Sequence, residues 1–482
     1  MTTKQTGSGT RQRGPSVPTR YDIVIVGSGS AAFSTAIAAR RTGASVALVE
    51  QGRVGGTCVN VGCIPSKALL AAAEARHVAS AGRFPGIRTE AHDVDMAALI
   101  AGKESLVATL RREKYEDLAD LYGFDIVHGH GRFGAHDTLF VDGVPVVADH
   151  YVIATGATPW APPLPGLDQV RYLTSTTVME LDHVPESLIV IGGNAVGLEQ
   201  GQLFARLGAR VTIVEALPRI APFEEPEISE GLAGILGDEG ITIEAGVRVT
   251  KALQEPDGVV VEVASSHGRR ELRAAALVVA TGRRPNTADL GLDTVGVEVG
   301  SRGDVVVDDE LRTTNPRIFA AGDVTGHPQF VYVAGVHGGI VADNALSGAH
   351  RRVDYRTLPR VTFTSPQIAA VGMTDEEASQ SGIDCECRVL SLAHVPRAIV
   401  ARDTRGVAKI VAERGSGRVL GIHLLAEGAA DAILAGVYAL EANFTVDQLA
   451  TMWTPYLTMA EAIKLAAQSF TRDVAALSCC AM

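Results

Sequence analysis

Apolar and polar positions along the chain fall into two kinds of run. Short unbroken apolar stretches read as strands buried on both faces, and Ala-rich stretches with apolar positions every three to four residues read as helices. Tyr21-Asp-Ile-Val-Ile-Val-Gly27-Ser-Gly29-Ser-Ala31-Ala32 predicts a strand, a glycine turn and a helix start. A second strand, Ala44-Ser-Val-Ala-Leu-Val-Glu50, follows and ends in an acid. The same order recurs in Ser187-Leu-Ile-Val-Ile-Gly192-Gly-Asn-Ala-Val-Gly197 and Ala209-Arg-Val-Thr-Ile-Val-Glu215. In both copies the first glycine precedes the acid by 23 residues, 27 to 50 and 192 to 215. Val152-Ile-Ala-Thr155-Gly156 and Val278-Val-Ala-Thr-Gly282 predict the strands that close each copy, and Ile318-Phe-Ala-Ala-Gly-Asp323 a further strand running into an acid. From about residue 355 the glycine turns stop. Arg360-Val-Thr-Phe-Thr, Gly406 to Val411 and Val419 to Leu424 alternate with Ala-rich helices, which predicts an α+β segment.

The repeat carries chemistry. Its first glycine allows the turn, small residues let backbone approach a pyrophosphate, and the helix N-terminus offers unpaired N–H groups. The terminal acid accepts from ribose hydroxyls. Two copies on one chain predict two dinucleotide sites and an electron relay between them. Gly27, Gly29, Ala31, Glu50, Thr155, Gly156 and Asp323 are the candidates in the first, with Gly192, Gly197, Glu215 and Gly282 in the second. Asn194 stands where the second copy's middle glycine is expected.

Composition narrows the setting. A chain of 482 residues, 46% hydrophobic and 20% charged, is globular and long enough for about three domains. It carries 43 basic and 55 acidic residues, so its net charge of −12 disfavours a phosphate-backbone partner. No apolar run is long enough to span a bilayer. Residues 1–20 lack both acids and a hydrophobic signal core, and Pro15 and Pro18 argue against an amphipathic transit helix; a disordered tail is expected. Six cysteines in three pairs (Cys58 and Cys63, Cys385 and Cys387, Cys479 and Cys480) point to redox or metal chemistry in a reducing cytoplasm rather than to a disulfide scaffold.

Gly55-Gly56-Thr57-Cys58-Val-Asn-Val-Gly62-Cys63-Ile-Pro65-Ser66-Lys67 follows the first repeat. Two thiols five positions apart at a helix start can close a disulfide ring, and the helix N-terminus favours the thiolate. Half of a zinc site is the competing reading, but neither remaining pair has zinc spacing. Cys385 and Cys387 would share one face of a strand, where packed or surface thiols are the simpler reading.

This segment resembles the redox-active motif of the flavoprotein disulfide reductases, the class of lipoamide dehydrogenase and glutathione reductase, over nearly the whole chain from Tyr21. The resemblance implies an α/β fold with two Rossmann-like dinucleotide-binding domains and a C-terminal α+β dimerisation domain. FAD would occupy 21–165 with 286–354, NAD(P)H would occupy 166–285, and 355–470 would form a homodimer interface. Residues 471–482 would be a mobile tail. The resemblance further makes Cys63 the thiolate against the flavin and Cys58 the exchanging thiol. Gly56, Thr57 and Lys67 would join the flavin site, and Lys67 would pair with Glu199.

Dithiol-reducing members carry a His-x-x-x-x-Glu acid/base near the chain end; here Tyr456 and Glu461 stand in that pattern. A phenol with an ordinary pKa of ~10 is a poor base at neutral pH. Tyr456, the Cys479-Cys480 tail and Gln329-Phe-Val-Tyr-Val-Ala334 resemble the branch of the family that reduces Hg(II). That branch implies Hg(II) held by Cys58 and Cys63 and delivered by Cys479 and Cys480 of the partner subunit, in line with the two-thiolate preference of a soft ion. Glu215 favours a free ribose 2′-hydroxyl and Arg219 nearby offsets it, so the donor is read as NAD(P)H. Ala195 stands where many relatives place a Tyr gate, and the Cys-x-x-Cys metal-binding domain that many relatives carry before the first strand has no counterpart here. A dihydrolipoamide dehydrogenase-like disulfide reductase and a non-enzymatic flavoprotein redox or metal sensor are the alternatives.

Overall fold

A computed structural model describes residues 20–476. The tail over residues 1–20, except Arg20, and the Cys479-Cys480 pair lie outside the described residues. Two compact units divide the chain. One takes the chain up to Gly56 with Arg111–Ala157 and Pro285–Val353; the other takes Thr57–Leu110, Thr158–Arg284 and the chain from Asp354. Among the described residues no helix is long and apolar enough to cross a membrane.

The first unit is built on a sheet whose middle strand, Arg20–Val26, lies parallel to Val46–Glu50 on one side and Val144–Ile153 on the other. Asp125–His128 extends it parallel beyond Val46–Glu50, and Ile318–Ala320 pairs parallel with Val144–Ile153. Side chains alternate across this sheet, and both faces are covered. Ile23 and Ile25 enter one apolar cluster with Phe33 and Val341, while Val24 and Val26 enter another with Tyr151 and Ile153. That double burial is why the strand reads as an unbroken apolar run. Helices Ser30–Arg41 and Val331–Ser347 pack together on one face, closely enough that a Cβ on Gly338 would sit 2.5 Å from the Ala31 carbonyl oxygen.

The second unit contains the second copy. Ser187–Ile191, Arg210–Glu215, Thr242–Ala245 and Ala276–Val279 form a four-stranded parallel sheet, with Ser187–Ile191 between Arg210–Glu215 and Ala276–Val279. An antiparallel meander, Arg248–Glu255, Gly258–Ser265 and Gly268–Ala274, is inserted before the last of these strands. The C-terminal part is a five-stranded antiparallel sheet, in the order Pro359–Thr362, Gln367–Gly372, Val419–Ala426, Val407–Glu413, Cys385–Ser391. Helices Ala429–Glu441 and Glu461–Gln468 share its apolar core through Ile433 and Ile463.

Candidate functional site: a dithiol and two nucleotide cradles

The two glycine turns are built alike. Gly27 N–H donates to Val49 O and Ala154 N–H to Val26 O; Gly192 N–H donates to Val214 O and Ala280 N–H to Ile191 O. Gly27 (φ +114°) and Gly192 (φ +112°) lie in backbone space that L side chains rarely adopt. A Cβ on either would come within 2.4 Å of a facing carbonyl oxygen, Ala154 or Ala280. At the third fingerprint position, a Cβ on Gly197 would fall 1.8 Å from Gly192 O, so only glycine lets that helix seat against its strand. Asn194 is tolerated for an equally local reason: it is extended, at φ −109°, as is its counterpart Gly29 at φ −79°.

Neither helix N-terminus is closed by a side-chain cap. The exposed N–H groups and the positive dipole end therefore fit a pyrophosphate in both copies. Each terminal acid also braces its own turn. Glu50 accepts from Ser28 Oγ (2.5 Å) and Gly52 N–H (2.6 Å). Glu215, buried, accepts from Gly193 N–H (2.7 Å) and Leu217 N–H (2.8 Å). Every one of these carboxylate oxygens keeps a second lone pair for a ribose hydroxyl.

Of the remaining first-cradle candidates, Gly56, Thr155, Gly156 and Asp323 lie within the first unit, and Thr57 and Lys67 in the second. Gly56 (φ +63°) approaches Gly29 so closely that a Cβ on it would stand 2.6 Å from Gly29 Cα. Thr155 Oγ1 donates to Asn286 O (2.7 Å), and Asn286 Nδ2 returns a bond to Thr155 O (2.9 Å). Asn286 N–H also bonds Gly156 O. Asp323 lies in the short helical turn Gly322–Thr325, where buried His337 accepts from Gly322 N–H (3.1 Å). In the second unit, Gly282 O accepts from Trp160 N–H. Ala195 is the first residue of helix Ala195–Leu207.

The thiols come together in the second unit. Thr57 and Cys58 belong to the one-turn helix Gly56–Asn60, and Cys63 opens helix Cys63–Ala81. Gly62 joins them; a Cβ there would sit 2.9 Å from Thr57 O. Both cysteines are free thiols and half-buried. Cys58 donates its S–H to the Cys63 sulfur, and that bond, helped by Lys67, draws Cys63 down to about 7. The same bond and burial drive Cys58 well above the usual thiol range. One proton is thus held on Cys58 while Cys63 carries the charge.

Beside this pair, Lys67 Nζ lies 2.6 Å from Glu199 Oε2, which is the pairing expected from the resemblance. Glu199 Oε1 accepts the Phe363 N–H (2.8 Å), and Lys67 Nζ rests 4.6 Å from the Phe363 ring centroid. Phe363 escapes sequence reasoning because no local pattern ties it to Glu199, 164 positions away. Ser28 was in principle readable, since it lies between the first two fingerprint glycines. Near the C-terminus, Tyr456 is half-exposed in the loop before helix Glu461–Gln468, beside Trp453 and Leu457, which are also exposed. Burial pushes the Glu461 carboxyl up, and its Oε2 has no hydrogen-bond partner among the described residues.

Fold and site together define a pyridine-nucleotide-dependent dithiol flavoprotein. The sequence matches the pyridine nucleotide-disulphide oxidoreductase family over residues 21–338 and the dimerisation domain of that family over 358–467. The chain belongs to this family. Among curated proteins it is similar to the mercuric reductase of Streptomyces lividans, at 58% identity over 96% of this chain and 99% of the relative. The mercuric reductase of Bacillus cereus is 48% identical over 96% of this chain and 73% of its own length. Among solved structures, the Cu(II) complex of the HOCl-induced flavoprotein disulfide reductase RclA from Escherichia coli superposes with a TM-score of 0.84 at 33% identity. It covers 94% of this chain and 100% of its own.

Proposed function

We propose that this chain is an FAD- and NAD(P)H-dependent mercury(II) reductase, converting Hg(II) to Hg(0) as a homodimer in the cytoplasm. One observation carries the reading: a half-buried dithiol in which Cys58 draws Cys63 down to about 7, toward the thiolate. The similarity to mercuric reductases over 95–96% of this chain supports it.

Gly27, Gly29, Ala31, Glu50, Gly56, Thr57, Lys67, Thr155, Gly156 and Asp323 would hold FAD, which when bound would supply two-electron transfer between NAD(P)H and the metal. Gly192, Gly197, Glu215 and Gly282 would hold NAD(P)H. Domain roles follow: 21–165 with 286–354 for FAD, 166–285 for NAD(P)H, and 355–470 for the dimer contact.

Cys63, already about half thiolate at pH 7, ligates Hg(II) first; Cys58 gives up its proton as the second Hg–S bond forms. Lys67 sets a positive charge beside the thiolate, and Glu199 with the Phe363 N–H fixes where that ammonium sits. Cys479 and Cys480 of the partner subunit collect Hg(II) from small-thiol complexes and pass it on by ligand exchange. Tyr456 receives the ion at the entrance, and Glu461 supports that loop from the adjoining helix. No imidazole is required, because no organic thiol has to leave with a proton.

Comparing NAD(P)H oxidation with Hg(II) in excess thiol, with lipoamide and with glutathione disulfide tests the reading. Mercury is expected to be the strongly preferred acceptor. Faster turnover on either disulfide would assign the chain to disulfide reduction, and tight Hg(II) binding without turnover would make it a sensor.

A further inference from the structure

The third cysteine pair has no role in that chemistry. Cys385 and Cys387 lie on Cys385–Ser391, an edge strand of the C-terminal sheet, opposite Glu413 and Val411. Two positions apart on a strand, they face the same side. Asp375 reaches that side from the start of helix Asp375–Gln380, whose entry is fixed by a Thr374–Glu377 capping box and by Asp375 N–H donating to Glu225 Oε1 (2.7 Å). Both sulfurs and an Asp375 carboxylate oxygen lie within 4.8 Å of one another. Cys385 S–H donates to Asp375 Oδ1 at 3.2 Å. Ala378, Val411 and Leu420 make a buried apolar floor, against which Met373, Ile383 and both cysteines pack.

We infer that Cys385, Cys387 and Asp375 form a second binding site for a thiophilic d10 cation, Hg(II) in particular, which holds the ion without reducing it. The spacing suits this class. Metal–thiolate bonds of ~2.3 Å put two sulfurs up to ~4.6 Å apart across one ion. Soft d10 ions are satisfied by two thiolates, whereas a structural zinc wants four ligands and only three gather here among the described residues. Both S–H bonds break, two S–metal bonds form, two protons leave to solvent, and no electron moves. Asp375 is the first acceptor for the Cys385 proton. Burial, reinforced by the Asp375 charge, pushes the Cys387 thiol up to about 12, and burial raises Cys385 as well. Two sulfur donors to one oxygen make the set soft, which favours thiophilic ions over hard ones.

The test uses the full, FAD-loaded chain with Cys58, Cys63, Cys479 and Cys480 all replaced by Ala. It is incubated with Hg(II) in the presence of excess cysteine, desalted, and its mercury counted per chain. One equivalent is expected to remain, with two sulfur neighbours by X-ray absorption, and to fall to none when Cys385→Ser and Cys387→Ser are added. No retained mercury, or retention unaffected by those two changes, overturns the site. Flavin content and thermal unfolding establish that each variant is folded. In parallel, Cys385→Ser/Cys387→Ser in the otherwise natural chain, without NAD(P)H, should lose one bound equivalent; an unchanged count again overturns it. Because no turnover enters, this inference stands or falls apart from the proposed reductase activity.

Discussion

Removing the Cys58 thiol tests the electrostatic core of the site. In Cys58→Ala the S–H that donates to Cys63 is gone, and with it the largest cause holding Cys63 at about 7. Burial opposes ionisation and Lys67 only partly offsets it, so the Cys63 pKa should move toward the ordinary thiol value of 9.0. At pH 7 the thiolate fraction then falls from about half to about 1%. The surviving thiolate is intrinsically more nucleophilic, since reactivity rises with pKa at a Brønsted slope of ~0.4–0.5. That returns roughly six- to tenfold of the roughly fiftyfold loss, leaving a net decrease of about five- to eightfold. The assay is the rate of Cys63 alkylation by iodoacetamide in reduced protein, followed by peptide mass mapping from pH 5 to 10. For the natural chain the rate is lost as pH falls through about 7; for the variant the fall comes at more alkaline pH. An alkylation midpoint that stays at 7 in Cys58→Ala would show that Lys67 or the helix N-terminus, not the neighbouring thiol, sets the charge.

Other perturbations separate the parts of the site. Lys67→Met leaves buried Glu199 with only the Phe363 N–H; a loss of about 1–3 kcal/mol in denaturant unfolding is expected, reduced by Lys67's partial exposure. Adding Glu199→Gln should restore much of it, and no recovery would mean the pair is not energetically coupled. Gly56→Ala must move Gly29 or leave its left-handed backbone, so purified protein should carry less flavin, read from visible absorbance. Gly197→Ala should raise the KM for NAD(P)H while flavin content holds, because its Cβ strikes Gly192 O in the second cradle only. Tyr456→Phe should slow Hg(II) reduction at unchanged flavin content, and Cys479→Ser/Cys480→Ser should slow it chiefly when Hg(II) arrives as a thiol complex. Equal rates would remove those residues from the path.

Much of this architecture was legible because it is encoded locally. The glycine turns and the acids 23 residues beyond them announce both cradles, since a left-handed backbone and a close carbonyl contact leave glycine little competition at positions 27 and 192. Lys67–Glu199 required the family resemblance, as nothing in either segment points to the other. What stayed hidden depends on long-range packing. In the meander over 248–274 only the middle strand shows an apolar run, Val259 to Val261, while its neighbours Arg248–Glu255 and Gly268–Ala274 are mostly polar, so the three do not read together as a sheet. Phe363 works through a backbone N–H, which carries no sequence signature. Asp375 joins Cys385 and Cys387 only because a helix start and an edge strand meet in space, although the two cysteines are visible as a strand-spaced pair.

The most direct measurement of the central claim counts mercury vapour. Anaerobic enzyme is given limiting NAD(P)H and then Hg(II) in excess thiol, and volatile Hg(0) is measured against nucleotide consumed. One Hg(0) is expected for each NAD(P)H oxidised, and none from Cys63→Ala that still holds its flavin. Nucleotide oxidation without Hg(0), or undiminished vapour from Cys63→Ala, would contradict it.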